Sequence, residues 1–466
     1  SEERTLKNFT IPANRGNLYD SNGNLLATSI PNYDIRFDAV TVSDKNFEEN
    51  IVPLSKELYK MFGKSVAYWS LSLRTARVNK HRYFLIARNL GYSQYIKVKN
   101  FPLFNLGTYK GGMIVEQRTV REHPLGEMAA RTVGYERKDK QGYYTRVGLE
   151  GAFGPFLEGT DGHRLKQKIA KGQWKPISDN NEVEPKDGYD VISTIDVNIQ
   201  DIAHHALLAQ LEKYEADHGT VVVMETQTGE IKAISNLGRT SEGRYFEKLN
   251  YAVGETHEPG STFKLMALIV ALEDKVIDTS TVVDTENGIM SVRGYKVRDS
   301  HRGGYGKISA AKAFEVSSNV GVVKLIHDNY KDNPQKFIDG LNRMHLNKKL
   351  GISIVGEGEP IIPKPGDKSW SGLSLAWMAY GYGSIQITPL QTLAFYNAIA
   401  NNGVLLKPRF IKEVREWDKV IEKNELTVLD PSICSQETVD KVKAMMENVV
   451  VRGTAKSLYS PNFSMA

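Results

Sequence analysis

Hydrophobic and polar positions along the chain divide it into recognisable elements. Residues 11–27 read as a strand, a tight turn at Asn22-Gly23 and a return strand beginning at Asn24. Residues 33–40 follow as another strand and 47–62 as an amphipathic helix. A strand is predicted at 189–195, a helix at 197–214, a strand at 219–225, a turn at Thr228-Gly229 and a partner strand at 230–235. A helix followed by a hairpin argues for an antiparallel sheet with segregated helices, an α+β arrangement. Beyond it lie strands and turns at 282–298 around Asn287-Gly288, a helix over roughly 309–328, a long helical region at 374–402 and a last amphipathic helix at 436–451. Pro389 suits a first helical turn with Thr388 as its N-cap.

One apolar run differs from the rest. Leu265-Met266-Ala267-Leu268-Ile269-Val270-Ala271-Leu272 is long enough for a buried helix and too short to span a bilayer. It follows the turn signal Pro259-Gly260 and the segment Ser261-Thr262-Phe263-Lys264. Ser261 therefore falls at or near a helix start, with Lys264 on the same face about one turn later. A serine hydroxyl becomes nucleophilic when a base takes its proton, and a lysine kept neutral by burial can be that base. Amide groups at the helix start favour an oxyanion nearby. The spacing alone is weak, because Ser309-Ala310-Ala311-Lys312 repeats it. There a helix N-cap followed by a solvated lysine is expected. Ser317 and Asn319, two residues apart, can face one cleft only if the chain bends between two helices.

Length and composition narrow the setting. With 466 residues, two or more domains with ample cores are expected. Forty-one per cent hydrophobic and 25% charged residues are ordinary for a globular protein, and a net charge of +5 is too slight to argue for nucleic acid. The basic, aromatic-interleaved region Arg74–Lys99 is read as a solvated helix face rather than a nucleic-acid surface. The single cysteine, Cys434, excludes a disulfide framework and a cysteine-rich metal site. No apolar run approaches 18 residues. Gly148 to Gly162 is a turn-laden region, and Gly172 to Asp190 is the best linker candidate. His204 and His205 are expected at the surface, and His257 in a structural role. No metal or cofactor is called for.

Taken in order, these motifs resemble those of class B penicillin-binding proteins, the serine D,D-transpeptidases that cross-link bacterial peptidoglycan. Arg15-Gly16, Asp20 and Asn22-Gly23 are similar to the family's first N-terminal motif, and Gly148-Leu149-Glu150 with Leu157-Glu158-Gly159 to a later one. Ser261-Thr262-Phe263-Lys264 and Ser317-Ser318-Asn319 match the Ser-x-x-Lys and Ser-x-Asn elements. Tyr382-Gly383, Thr388-Pro389-Leu390-Gln391 and Ala400-Asn401-Asn402-Gly403 resemble the helical region that comes next, and Arg452-Gly453-Thr454-Ala455 the approach to a third motif.

The resemblance implies a C-terminal transpeptidase fold, an antiparallel sheet with helices on both sides, over residues 186–466. It implies an elongated, non-catalytic, partner-binding pedestal over 1–185. Ser261 would be the nucleophile, Lys264 its base, Ser317 a proton carrier and Asn319 a ligand of the substrate backbone that also orients Lys264. The substrate would be a stem peptide ending in D-Ala-D-Ala, and β-lactams would acylate the same serine. Glu258-Pro259-Gly260 and Ser318-Asn319-Val320-Gly321 look more like the division-specific branch, which works with a membrane glycan polymerase and other division proteins. An N-terminal membrane helix outside this chain would place the domain on the periplasmic side.

The third motif, Lys-Thr-Gly or Lys-Ser-Gly, occurs nowhere in the 466 residues. It is expected beyond Ala466, so the chain as it stands should lack an oxyanion donor and not be a competent enzyme. A class A β-lactamase would carry a glutamate at the first position of Ile338-Asp339-Gly340-Leu341-Asn342, where isoleucine stands. The competing readings are a non-enzymatic division scaffold or β-lactam sensor, and an elongation-type transpeptidase.

Overall fold

The computed structural model describes residues 6–170, 173–176 and 182–466, and the chain divides into two units, 27–123 and the residues on either side. In the smaller unit, strand Leu25–Phe37 pairs antiparallel with Phe84–Leu90 on one edge and Met113–Glu122 on the other. Helix Asp44–Phe62 starts at Ser43, whose hydroxyl accepts the Asn46 N–H at 3.2 Å. Phe47, Ile51, Leu54 and Leu58 recur at helical spacing, and all four are buried with Phe37, Trp69, Leu73 and Phe104. Each such side chain contributes roughly 1.5–3 kcal/mol when removed from water.

The basic stretch Arg74–Lys99 is not one helix face. It runs through the end of helix Val66–Val78, strand Phe84–Leu90 and helix Tyr92–Lys99. Its arginines are engaged within the unit: Arg74 with Glu48, Arg82 with Asp38, and Arg77 with the carbonyls of Ala39 and Val42.

In the larger unit, the two N-terminal motifs come together. Arg15 donates to the Glu150 carboxylate at 3.3 Å, the Glu150 carbonyl at 2.9 Å and Glu136 at 3.2 Å, while the Gly16 N–H donates to the Leu157 carbonyl. The fully buried Asp20 carboxylate accepts the N–H groups of Asn22, Asn24 and Val197, and these bonds outweigh burial to hold its pKa below the usual range. Gly23, with φ +88°, supplies the turn that this network closes.

Strand Leu18–Tyr19 runs parallel to Asp190–Ser193, which pairs antiparallel with Ile411–Glu416. Residues 172 and 177–181 of the expected linker lie outside the described residues. Other parts of that segment are paired: Gln173–Pro176 with strand Gly162–Ala170, Val183 with His163, and Lys186 with Thr160. Among the described residues, no helix is long and apolar enough to cross a membrane.

The antiparallel sheet His218–Met224, Ile231–Arg239, Tyr245–Phe246 is covered by helix Val197–Tyr214. Helix Lys264–Glu273 is buried along its length because every residue from Leu265 to Leu272 is apolar. Neighbours include helices Asn319–Tyr330, Pro334–Arg343 and Gln436–Val451. Gly340 permits the closest approach, since a Cβ there would lie 2.4 Å from Val270 Cγ1.

Two predicted helices are divided. The region 309–328 breaks into Ala310–Glu315 and Asn319–Tyr330, as the Ser317/Asn319 spacing required. The region 374–402 becomes Ser374–Ala379 and Pro389–Ala400. Gly381 and Gly383 take φ +87° and +76° between them, and Pro389 bars its predecessor from the helical region. Thr388 caps the second helix in a reciprocal pair with Gln391.

Candidate active site

Ser261 lies in the 3-10 turn Gly260–Phe263, directly ahead of helix Lys264–Glu273. The turn is tied from several sides. His257 and Ile387 exchange backbone hydrogen bonds, and the Gly260 N–H donates to the Gly381 carbonyl at 3.0 Å. A Cβ on Gly381 would sit 1.9 Å from the Gly260 oxygen, so only glycine lets these stretches of chain meet. The Tyr396 hydroxyl donates to the Thr262 carbonyl at 2.7 Å. Phe263 is fully buried, which leaves Ser261 at the surface end of the turn.

Lys264 is 1% exposed although it is the first residue of its helix. Its Nζ donates to Ser317 Oγ at 2.8 Å and to the Ser317 carbonyl at 2.9 Å. Burial lowers its pKa from 10.5 to about 8, against an opposing pull from the Asp299 charge. Ser317 adopts φ +55° between two helices, a conformation costing about 1 kcal/mol for a residue with a side chain. That turn directs both its hydroxyl and its carbonyl to the lysine. Among the described residues, Lys264 gives its hydrogen bonds to Ser317 and none to Ser261. Catalytic hydrogen bonds often tighten only once substrate is bound.

The Ser-x-Asn segment is organised by residues that sequence reading passed over. Asp299 accepts the Ser318 hydroxyl and the Val320 N–H, both at 2.9 Å. Ser318 in turn caps helix Asn319–Tyr330 by accepting the Gly321 N–H. Asn319 directs its Nδ2 to the Arg298 carbonyl at 2.8 Å, so in this state it braces the hairpin before it, and it makes no hydrogen bond to Lys264. The expected orienting contact to the lysine comes from Ser317 instead. No local pattern flagged Asp299. Ser318, the unnamed middle residue of Ser-x-Asn, carried a weak cap signal.

The control site behaves as expected. Ser309 Oγ accepts the Lys312 N–H at 3.1 Å as an N-cap, and Lys312 is 40% exposed. His205 is exposed and bonded to the Asp201 carbonyl. His204 is half-buried against Ser235, and burial lowers its pKa.

Residues 219–466, just over half the chain, match the penicillin binding protein transpeptidase domain family, and residues 10–193 match the penicillin-binding protein dimerisation domain. The chain belongs to the penicillin-binding protein transpeptidase family. It is 29% identical over 355 residues to the stage V sporulation protein D of Bacillus subtilis, covering 75% of this chain and 54% of that one. To the peptidoglycan D,D-transpeptidase FtsI of Escherichia coli it is 26% identical over 460 residues, covering 97% and 71%. The chain thus spans about half to three-quarters of these relatives. The fold matches that of penicillin binding protein 2X from Streptococcus thermophilus with a TM-score of 0.79 at 24% identity, covering 98% of this chain and 68% of that one. In penicillin-binding protein terms, the buried Lys264 and the left-handed Ser317 are the parts of the Ser-x-x-Lys and Ser-x-Asn elements that meet.

Proposed function

We propose that the protein is a serine D,D-transpeptidase in which Ser261 is the nucleophile, Lys264 its base and Ser317 the proton carrier. The observation that supports this most directly is the buried Lys264 amine on the Ser317 hydroxyl, in the first turn after Ser261. An ordinary surface lysine is more than 99% protonated at neutral pH and cannot act as a base. One held near 8 is neutral about a tenth of the time at pH 7.

Ser261 Oγ attacks the carbonyl carbon of the penultimate D-alanine while its proton passes to Lys264. The peptide C–N bond then breaks. The departing D-alanine amine receives a proton from Ser317, which Lys264 replaces. An amine from a neighbouring stem peptide attacks the resulting ester, restoring the Ser261 hydroxyl. Asn319 binds the substrate backbone, and the Ser261 N–H at the open end of the turn serves the oxyanion.

β-Lactams acylate the same serine. The nearest sequence match to a Glu-x-x-Leu-Asn deacylation element has isoleucine, Ile338, in place of its glutamate, which supports a long-lived penicilloyl adduct. Residues 186–466 carry the chemistry and 1–185 act as a partner-binding pedestal. The likeness to FtsI and the residues around Ser261 and Ser318 favour septal synthesis with a membrane glycan polymerase. That role requires an N-terminal membrane anchor and a periplasmic location. Labelling the full-length protein with fluorescent penicillin tests the reading. Labelling lost in Ser261→Ala supports it; a dark wild type, or labelling retained in the variant, points to a scaffold or another nucleophile.

A further inference from the structure

Glu315 lies two residues before Ser317 at the end of a six-residue helix, and its side chain is 1% exposed. Its carboxylate accepts Arg452 Nε at 3.0 Å and Nη2 at 2.9 Å, a two-pronged pair reaching from the end of helix Gln436–Val451. The Glu315 backbone carbonyl, which its short helix leaves without a partner, accepts the Thr454 N–H at 3.0 Å. Gly453 makes this approach possible, since a Cβ there would fall 2.3 Å from the same carbonyl oxygen. Three consecutive residues, Arg452-Gly453-Thr454, therefore hold one residue of the neighbouring helix by side chain and backbone together.

We propose that Arg452 and Glu315 are positioning residues that keep Ser317 in its left-handed conformation and so keep its hydroxyl and carbonyl on Lys264. The inference rests on the acyl-transfer reading above. Strained backbone persists only where its surroundings over-determine it. Asp299 restrains the Ser318–Val320 side of the turn, and the Arg452 clamp restrains the Glu315 side. A stability role alone would be served better by apolar packing, because a buried carboxylate must be desolvated to meet an arginine that remains 60% exposed. What the pair adds is a fixed direction. Lys312 Nζ, 3.8 Å from the same carboxylate, is a looser neighbour.

The test is the kinetics of penicillin acylation in the full-length protein, resolved into the noncovalent binding constant and the acylation rate constant across pH. Arg452→Gln is expected to slow acylation by about ten- to a hundredfold, the effect of misplacing a reacting group by an ångström or less. Its binding constant should be unchanged and the acid limb of its profile displaced, with Arg452→Lys recovering part of the rate. A folded Arg452→Gln that acylates at the wild-type rate with the wild-type profile overturns the proposal. So does loss of far-UV circular dichroism in both variants, which would make the pair an element of the fold alone. Mass spectrometry of the adduct keeps the two ideas apart. A wild type that forms no Ser261 adduct refutes the acyl-transfer reading, whereas adduct that accumulates at the same rate in wild type and Arg452→Gln refutes only the clamp.

Discussion

Burying Lys264 has a cost that can be measured apart from catalysis. Its pKa falls from 10.5 to about 8 because burial disfavours the ammonium. The native state therefore binds this proton less tightly than the unfolded chain does. Below pH 8 both states are protonated and the full cost is present, roughly 3 kcal/mol for a fall from 10.5 to about 8 at about 1.4 kcal/mol per pH unit. As pH rises from 8 toward 10.5 the native amine is neutral first, and the cost fades. Lys264→Met keeps the side-chain volume without the charge, but leaves the Ser317 hydroxyl and carbonyl without their donor, at about 1–3 kcal/mol. That loss hardly depends on pH; the charge term does. The stability of Lys264→Met relative to wild type should thus decline by about 2–3 kcal/mol between pH 7 and pH 10. Urea titrations of both proteins at the two pH values read this double difference, in which the titration of other groups cancels. In parallel, wild-type penicillin acylation should rise with pH until about 8, and the variant should not acylate. A stability difference that stays constant across this range would refute the claim that burial lowers the Lys264 pKa.

Other consequences arise from particular contacts. Gly381→Ala, with φ +87° and a Cβ 1.9 Å from the Gly260 oxygen, should push the nucleophile turn aside and abolish fluorescent-penicillin labelling, while Gly366→Ala, strained alike at φ +96° but with open space around it, should label normally. Ser309→Ala should lower stability by about 1 kcal/mol through loss of an N-cap, with no change in acylation rate. Arg15→Ala should remove a charged partner of the buried Glu150, destabilising the larger unit by about 3–5 kcal/mol in urea unfolding. Incubation with penicillin should consume no more than one equivalent per Ser261, because isoleucine stands at Ile338 where a Glu-x-x-Leu-Asn element would carry its glutamate; sustained turnover would contradict this.

Much of the architecture was legible because it is written in local pattern. The uniform apolar run after Lys264 demanded burial, and the structure buries all of it. Helices 197–214 and 436–451 fall at their expected limits, and the Thr388-Pro389 start carries the cap that its residues implied. The features that escaped detection depend on partners far away in the chain. Strand Asp190–Ser193 takes one neighbour from residues 18–19 and another from 411–416, so a division drawn by position at residue 185 cuts through a shared sheet. The break between Ala379 and Pro389 is marked locally by Gly381, Gly383 and Pro389, but the contact that it serves, the close approach of Gly381 to Gly260, lies over 100 residues earlier. Asp299 and Arg452 have no periodicity to betray them; each acts on one turn that neither belongs to.

The two Ser-x-x-Lys segments make the same point at the level of chemistry. Both begin helices and share a spacing, yet Lys312 stays 40% exposed while Lys264 is almost wholly enclosed. Apart from the Pro259-Gly260 turn ahead of Ser261, what distinguishes them locally is the apolar run behind Lys264, which dictates that its helix be interior. Interior placement then removes the amine from water, and the bent Ser317 turn supplies the only acceptors that Lys264 has among the described residues. A reactive lysine is therefore specified less by the motif than by the greasy helix it opens and by the turn some fifty residues on that receives its protons. Transplanting Ser261-Thr262-Phe263-Lys264 onto an exposed helix should yield an ordinary lysine with an ordinary pKa, and no acylation.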